Sequence, residues 1–126
     1  MTIKLYREAW NPPRMSVLQF EADDLNVRCD MNYGNYSMNG LNYVPCEYRG
    51  RGVGRAVPYL LRYLGLREED EGKMSESRFG RVMVKSNGDD EVTLWVSVDV
   101  MRRGYSTGEV VRQVAYVTRG ILLCLG

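Results

Sequence analysis

The sequence predicts an α+β domain: an antiparallel sheet in the order β-β-β-α-β-β-α, with the helices on one face. Three features predict it. Leu25, Val27, Cys29 and Met31 alternate with Asn26, Arg28 and Asp30, which is the period of a half-buried strand. Two alternating runs at 81–85 and 91–100 flank Ser86-Asn87-Gly88-Asp89, which is a hairpin signal. Ser106-Thr107-Gly108-Glu109 is a capping box that opens a stripe of helical period.

Residues 1–14 are mixed and predict no element, and Pro12-Pro13 stops any helix there. Met15 to Ala22 reads as the first strand, with a turn at Ala22-Asp23-Asp24. Leu25 to Met31 is the second. Residues 32–43 are rich in Asn and Tyr. They predict a turn at Gly34-Asn35, then a third strand with a bulge at Gly40, where the parity of Tyr36 and Met38 changes to that of Leu41 and Tyr43. The functional alternative for this stretch is an aromatic binding surface.

Val57 to Leu66 predicts a short helix, begun by Pro58 at its first position. Residues 67–78 predict a solvated, charged linker; the run Glu68, Glu69, Asp70, Glu71 lacks the ligand spacing of a calcium loop. In the hairpin, Val92, Leu94, Val96, Val98 and Val100 share one face, and Thr93, Trp95, Ser97 and Asp99 the other. Trp95 therefore marks a second face that is partly covered or a contact surface. The last helix runs to about Cys124, with Val110, Val114, Val117, Ile121 and Cys124 toward the sheet. Gly120 weakens it, which predicts close packing at that position.

The 126 residues fit one domain spanning 1–126. A hydrophobic fraction of 44% and a charged fraction of 26% are ordinary for a globular chain that buries a core. A net charge of +1 excludes a global pull toward nucleic acid or a membrane surface. The N-terminal stretch has no apolar core of a signal peptide, and the longest apolar run, Ile121 to Leu125, falls far short of the roughly 20 residues of a membrane span. Three cysteines without metal spacing predict a reduced, cytoplasmic protein. Cys29 and Cys124 lie on apolar positions and read as small core side chains. Cys46 reads as a loop residue near several arginines. The absence of histidine excludes His-based triads and Cys/His zinc sites.

The segment most suggestive of a ligand is Arg49-Gly50-Arg51-Gly52-Val53-Gly54, ahead of the apolar run from Ala56 to Leu66. A glycine-rich turn that opens onto a helix can aim amide N–H groups at a phosphate. The pattern Arg49-x-x-Gly52-x-Gly54 resembles the acyl-CoA-binding motif of the GCN5-related N-acetyltransferases. The resemblance spans 47–64 and implies Arg49, Gly52 and Gly54 at the pyrophosphate of coenzyme A. It carries the alternative function, an acyl-CoA-dependent N-acyltransferase. A third reading groups Arg49, Arg51, Arg55 and Arg62 with Tyr48, Tyr59 and Tyr63 as a surface for single-stranded nucleic acid.

The element order as a whole resembles the YbjN-like family and the wider type III secretion chaperone-like fold. The closest stretch is Phe79 to Leu125: strand, polar turn with glycine, strand, Ser-capped helix. That resemblance implies a dimeric protein-binding module with no catalytic residues and no cofactor or metal. The leading expectation is thus a small cytoplasmic binding or regulatory module, with a protein partner or a second copy rather than a membrane or nucleic acid. Its expected contact residues are Trp95 on the second sheet face, or Tyr59 and Tyr63 on the short helix.

Overall fold

The computed structural model describes residues 4–11, 15–32, 36–38, 40–101 and 104–126. Eight strands form an antiparallel sheet: β1 (Lys4–Asn11), β2 (Met15–Ala22), β3 (Leu25–Asp30), β4 (Ser37–Met38), β5 (Leu41–Arg49), β6 (Ser75–Ser77), β7 (Gly80–Ser86) and β8 (Glu91–Met101). Helix α1 (Val57–Leu64) joins β5 to β6, and α2 (Thr107–Leu125) follows β8. The strand order across the sheet is β1-β2-β3-β5-β8-β7-β6, with β4 paired to β5.

The fold class is α+β, and the expected element order lies inside the observed one with three additions. The first is β1, where the sequence predicts no element. Its ladder to β2 shifts register between Leu5 and Arg7, and such a bulge breaks the alternation by which a strand is read. The second is β4. Gly40 is the turn of a tight hairpin, with Met38 opposite Leu41, rather than a bulge inside one strand. The third is β6, inside the stretch expected to be a linker. The expected turn at Gly34-Asn35 and the Pro12-Pro13 stop lie outside the described residues.

One buried cluster takes side chains from both helices and one face of the sheet. Leu18 and Phe20, Val27 and Cys29, Val44, Cys46 and Tyr48, and Val92, Leu94 and Val96 supply the sheet side. Val57, Leu60, Leu61 and Leu64 of α1 and Val110, Val111, Val114 and Ala115 of α2 supply the helical side. Each such aliphatic side chain contributes about 1.5–3 kcal/mol by leaving water. Pro58 lies in the first turn of α1, where its missing N–H costs nothing. Ser106 caps α2 as expected, accepting from the Glu109 amide at 3.2 Å. Cys124 is exposed, contrary to its expected place on the buried stripe. That stripe turns instead toward Val111, Ala115 and Thr118.

Two cysteines are also corrected. Cys46 lies in β5, not in a loop, directly opposite Cys29 of β3. The two Cα atoms are 4.1 Å apart, both residues are fully buried, and their sulfurs form a disulfide. Positions 29 and 46 become neighbours only through strand register, so their spacing in sequence carries no signal. The β3–β5 ladder ends at this pair. The next residue, Pro45, has no N–H to continue it.

Tyr48 is fully buried, and its hydroxyl donates to the Val111 carbonyl of α2 at 2.9 Å. Burial pushes this phenol well above its ordinary value of 10.0, so it stays protonated and keeps donating. No described helix is long and apolar enough to cross a membrane.

The disulfide closes a loop with a sequence separation of 17. Restricting the unfolded chain to such a loop stabilises the fold by about 3 kcal/mol. The double variant Cys29→Ala/Cys46→Ala should lose about that much in urea unfolding; an unchanged midpoint would show that the bridge adds nothing.

Candidate functional site

The segment 49–54 leaves the end of β5 and enters a single 3-10 turn, Val53–Ala56, ahead of α1. Gly52 has φ +74°, a left-handed conformation that favours glycine. The amides expected to face a phosphate face the hairpin between β7 and β8 instead. The Gly50 N–H donates to the Asp90 carbonyl at 3.0 Å, and the Gly54 N–H to the Asp89 carbonyl at 2.8 Å. The Gly52 N–H donates to Asp90 Oδ1 at 2.9 Å. A Cβ on Gly54 would stand 2.3 Å from the Gly88 carbonyl oxygen. These glycines therefore let two turns touch and fasten them together.

The charge around this contact is mixed: on its other side Arg51, Arg55 and Arg119 line a second depression with Asp23 and Asp24. A shallow depression beside it is lined by Asp24, Asp89, Asp90 and Glu91 against Arg49 and Arg51. Arg49 is itself paired: its Nε donates to Glu91 Oε1 at 2.7 Å, and its Nη2 pairs with Glu47. The hydrogen bond from Arg49 holds the Glu91 carboxyl below its ordinary value of 4.5. Arg49, Gly52 and Gly54 thus do come together, but their donors serve the chain's own carboxylates and carbonyls. The amides on which the acyl-CoA reading depends are committed elsewhere.

The nucleic-acid grouping is also divided by the fold. Tyr48 is sealed in the core, so it cannot stack on a base. Tyr63 packs on Phe79, with ring centroids 5.9 Å apart, and the Arg78 guanidinium lies 4.8 Å from its centroid. Tyr59 is exposed, with the Arg62 guanidinium 5.5 Å from its ring centroid. Of the two expected contact tyrosines on α1, only Tyr59 is free at the surface.

Trp95 sits on the sheet face that no described helix covers. Register places it opposite Pro45 on β5 and Met83 on β7. The Tyr36 ring meets it edge-on at a centroid distance of 5.8 Å. Tyr36 is held there by two bonds. Its hydroxyl donates to Asp30 Oδ2 at 2.7 Å, and its carbonyl accepts from the Tyr43 amide at 2.8 Å. The bond to Asp30 raises the Tyr36 phenol above 10.0. Beyond Trp95, Tyr43 and Ser97 face each other on this side and are fully buried.

Trp95 thus marks the border between a covered and an open part of the face. The open part is a concavity of about 320 Å³, walled by Tyr36, Pro45 and Trp95 with Arg28, Asp30 and Glu47. Of this group, sequence parity singled out Trp95 alone. Pro45 and Glu47 share its face by the same alternation, a signal present once β5 is known to start at Leu41. Tyr36 belongs to the stretch whose functional alternative was an aromatic surface.

The chain matches no family model, no curated protein and no solved structure. Among the described residues, no group of three or more His, Cys, Asp or Glu side chains is placed to hold a metal ion.

Gly54→Ala forces its new methyl group into the hairpin backbone. Overpacking of that kind costs about 1–3 kcal/mol, read as a lower urea midpoint. The same midpoint for a change at an open surface glycine, rather than a lower one, would refute the close approach.

The Glu91 carboxyl has a folded-state value below its unfolded one, so its pairing stabilises the fold above pH 4.5 and is lost as pH falls through the folded value. Glu91→Gln should accordingly be less stable than the parent at neutral pH, and the difference should close in acid. A difference that is constant down to acid pH would show that the ionised form of Glu91 is not what stabilises the fold.

Proposed function

We propose that this chain is a non-catalytic protein-binding module that acts as a dimer and takes its partner on the helix-free face of the sheet. The observation that carries this reading is the concavity around Trp95. A large aromatic side chain there is held by Tyr36, yet remains only partly covered. Buried-edge tryptophan and tyrosine are the side chains that dominate protein interfaces, because they offer large contact area at little entropic cost.

The walls suggest the chemistry of the partner. Two carboxylates, Asp30 and Glu47, stand with one guanidinium, Arg28, around the two aromatic rings. A lysine or arginine side chain from a partner would gain the ring faces and the Asp30 carboxylate, while Glu47 is already paired with Arg49. The buried Cys29–Cys46 bridge supports an oxidising compartment over the cytoplasm expected from the cysteine count.

Titration calorimetry with an arginine-rich peptide, and with a glutamate-rich peptide of the same length, tests the reading. The basic peptide should bind saturably, and Trp95→Ala should weaken it by more than about tenfold, the scale of an interface hot spot. Glu47→Gln should weaken it less. Equal binding of both peptides, or binding untouched by Trp95→Ala, would overturn the assignment of this face.

A further inference from the structure

The turn between β2 and β3, the segment 50–55 and the last turns of α2 meet around a depression of about 560 Å³. Three guanidiniums border it: Arg51 and Arg55 from the segment, and Arg119 from α2. Asp23 and Asp24 of the turn line it as well, and Gly126 borders it beyond α2. Leu122 and Leu123 give it an apolar wall, and Leu123 is 66% exposed.

The donors here exceed the acceptors that the chain gives them. Arg119 is paired through its Nε, which donates to Asp23. Its Nη1 is buried and meets no hydrogen-bond partner. Arg51 and Arg55 are exposed, and neither side chain forms an ion pair or a hydrogen bond with a described residue. The Arg55 guanidinium lies against Gly52, where a Cβ would stand 2.8 Å from its Nη2. Gly52 therefore also makes room for Arg55. Unpaired arginines scattered over a surface are ordinary, since water serves them. Convergence on one depression is different, and so is a buried N–H without an acceptor, which costs stability until a partner reaches it.

We propose that this depression binds a small organic phosphate monoester. Arg51 and Arg55 donate to the phosphate oxygens, and Arg119 gains the acceptor that its Nη1 lacks. The organic part lies on Leu122 and Leu123. A guanidinium is a planar fork of donors that matches phosphate and carboxylate oxygens. One fork already fills a carboxylate, whereas three forks suit a dianion with three terminal oxygens. The volume is that of a site for a small molecule. The site uses side chains, so it is compatible with the amides of Gly50, Gly52 and Gly54 being bonded to the β7–β8 hairpin. It is independent of the Trp95 face.

Titration calorimetry with phenyl phosphate tests the proposal, with inorganic phosphate and benzoate as comparisons. Phenyl phosphate should bind saturably and more tightly than either. Arg51→Gln and Arg55→Gln should each weaken it by about tenfold, the scale of one charge-assisted hydrogen bond. Both side chains are exposed, so the melting temperature without ligand should stay unchanged. Arg62→Gln, on α1 and outside the depression, should leave binding as it is. Asp24→Asn should tighten binding, because it removes a negative charge beside the dianion. A damaged fold would not produce that opposite sign.

No saturable binding of phenyl phosphate at millimolar concentration would overturn the site. So would a loss in Arg62→Gln as large as in Arg51→Gln and Arg55→Gln, since binding would then follow overall charge alone. Benzoate binding as tightly as phenyl phosphate would overturn the phosphate head, and inorganic phosphate doing so would overturn the apolar wall.

Discussion

The pairing of β5 with β8 is the constraint on which the rest of the molecule depends. It joins the N-terminal meander to the C-terminal hairpin, which share no turn. The ladder runs from Tyr43 opposite Ser97 to Arg49 opposite Glu91. Closing the intervening chain costs conformational entropy that local contacts do not repay. The ladder is accordingly fastened at its end. Past Arg49, the amides of Gly50, Gly52 and Gly54 all donate to Asp89 and Asp90 at the tip of the facing hairpin. The glycine-rich segment thus has its explanation inside the fold, as the clasp of the central strand pair.

The two faces of the sheet do different physical work. The helix-bearing face holds the apolar side chains, and the buried Tyr48 hydroxyl there is satisfied by the Val111 carbonyl. That bond ties α2 to the central strand at a point where packing alone would allow sliding. The disulfide lies on the same face, one strand pair away, and joins β3 to β5 covalently. The opposite face carries no described helix. It is covered near Tyr43 and Ser97, and opens around Trp95 into a concavity where aromatic rings and carboxylates meet. A stiff sheet, clasped at one end and bridged at β3, is a suitable base for a contact surface, because the side chains on it are held in register.

The helical layer also has two sides. Its inner side belongs to the core. The outer side of α2 exposes Tyr116 and Leu123, and Gly120 beside them faces open space. This outer side and the helix-free sheet face lie on opposite sides of the sheet's helical layer.

Much of the fold is legible in the sequence because it is local. The period-two run from Leu25, the hairpin around Asn87-Gly88 and the Ser106 cap each need only a few adjacent residues and form where expected, although the hairpin closes over the longer loop 87–91 rather than a tight Asn-Gly turn. Pro58 opening α1 is of the same kind. Strand β1 escaped because a bulge breaks its alternation, and β6 because three polar residues carry no pattern.

The candidate sites were legible only in part. Trp95 was singled out by parity alone, but Tyr36, Pro45 and Glu47 reach it through register between strands that are distant in sequence. Arg49, Gly52 and Gly54 looked free because their acceptors, Asp89, Asp90 and Glu91, lie across that same register. The sequence by itself determined the alternation, turns and caps, since these are set by near neighbours. Only the tertiary structure decided that Cys29 meets Cys46, that the glycine amides are already bonded, and that Gly120 faces open space, because each of these depends on which distant backbone comes to lie opposite.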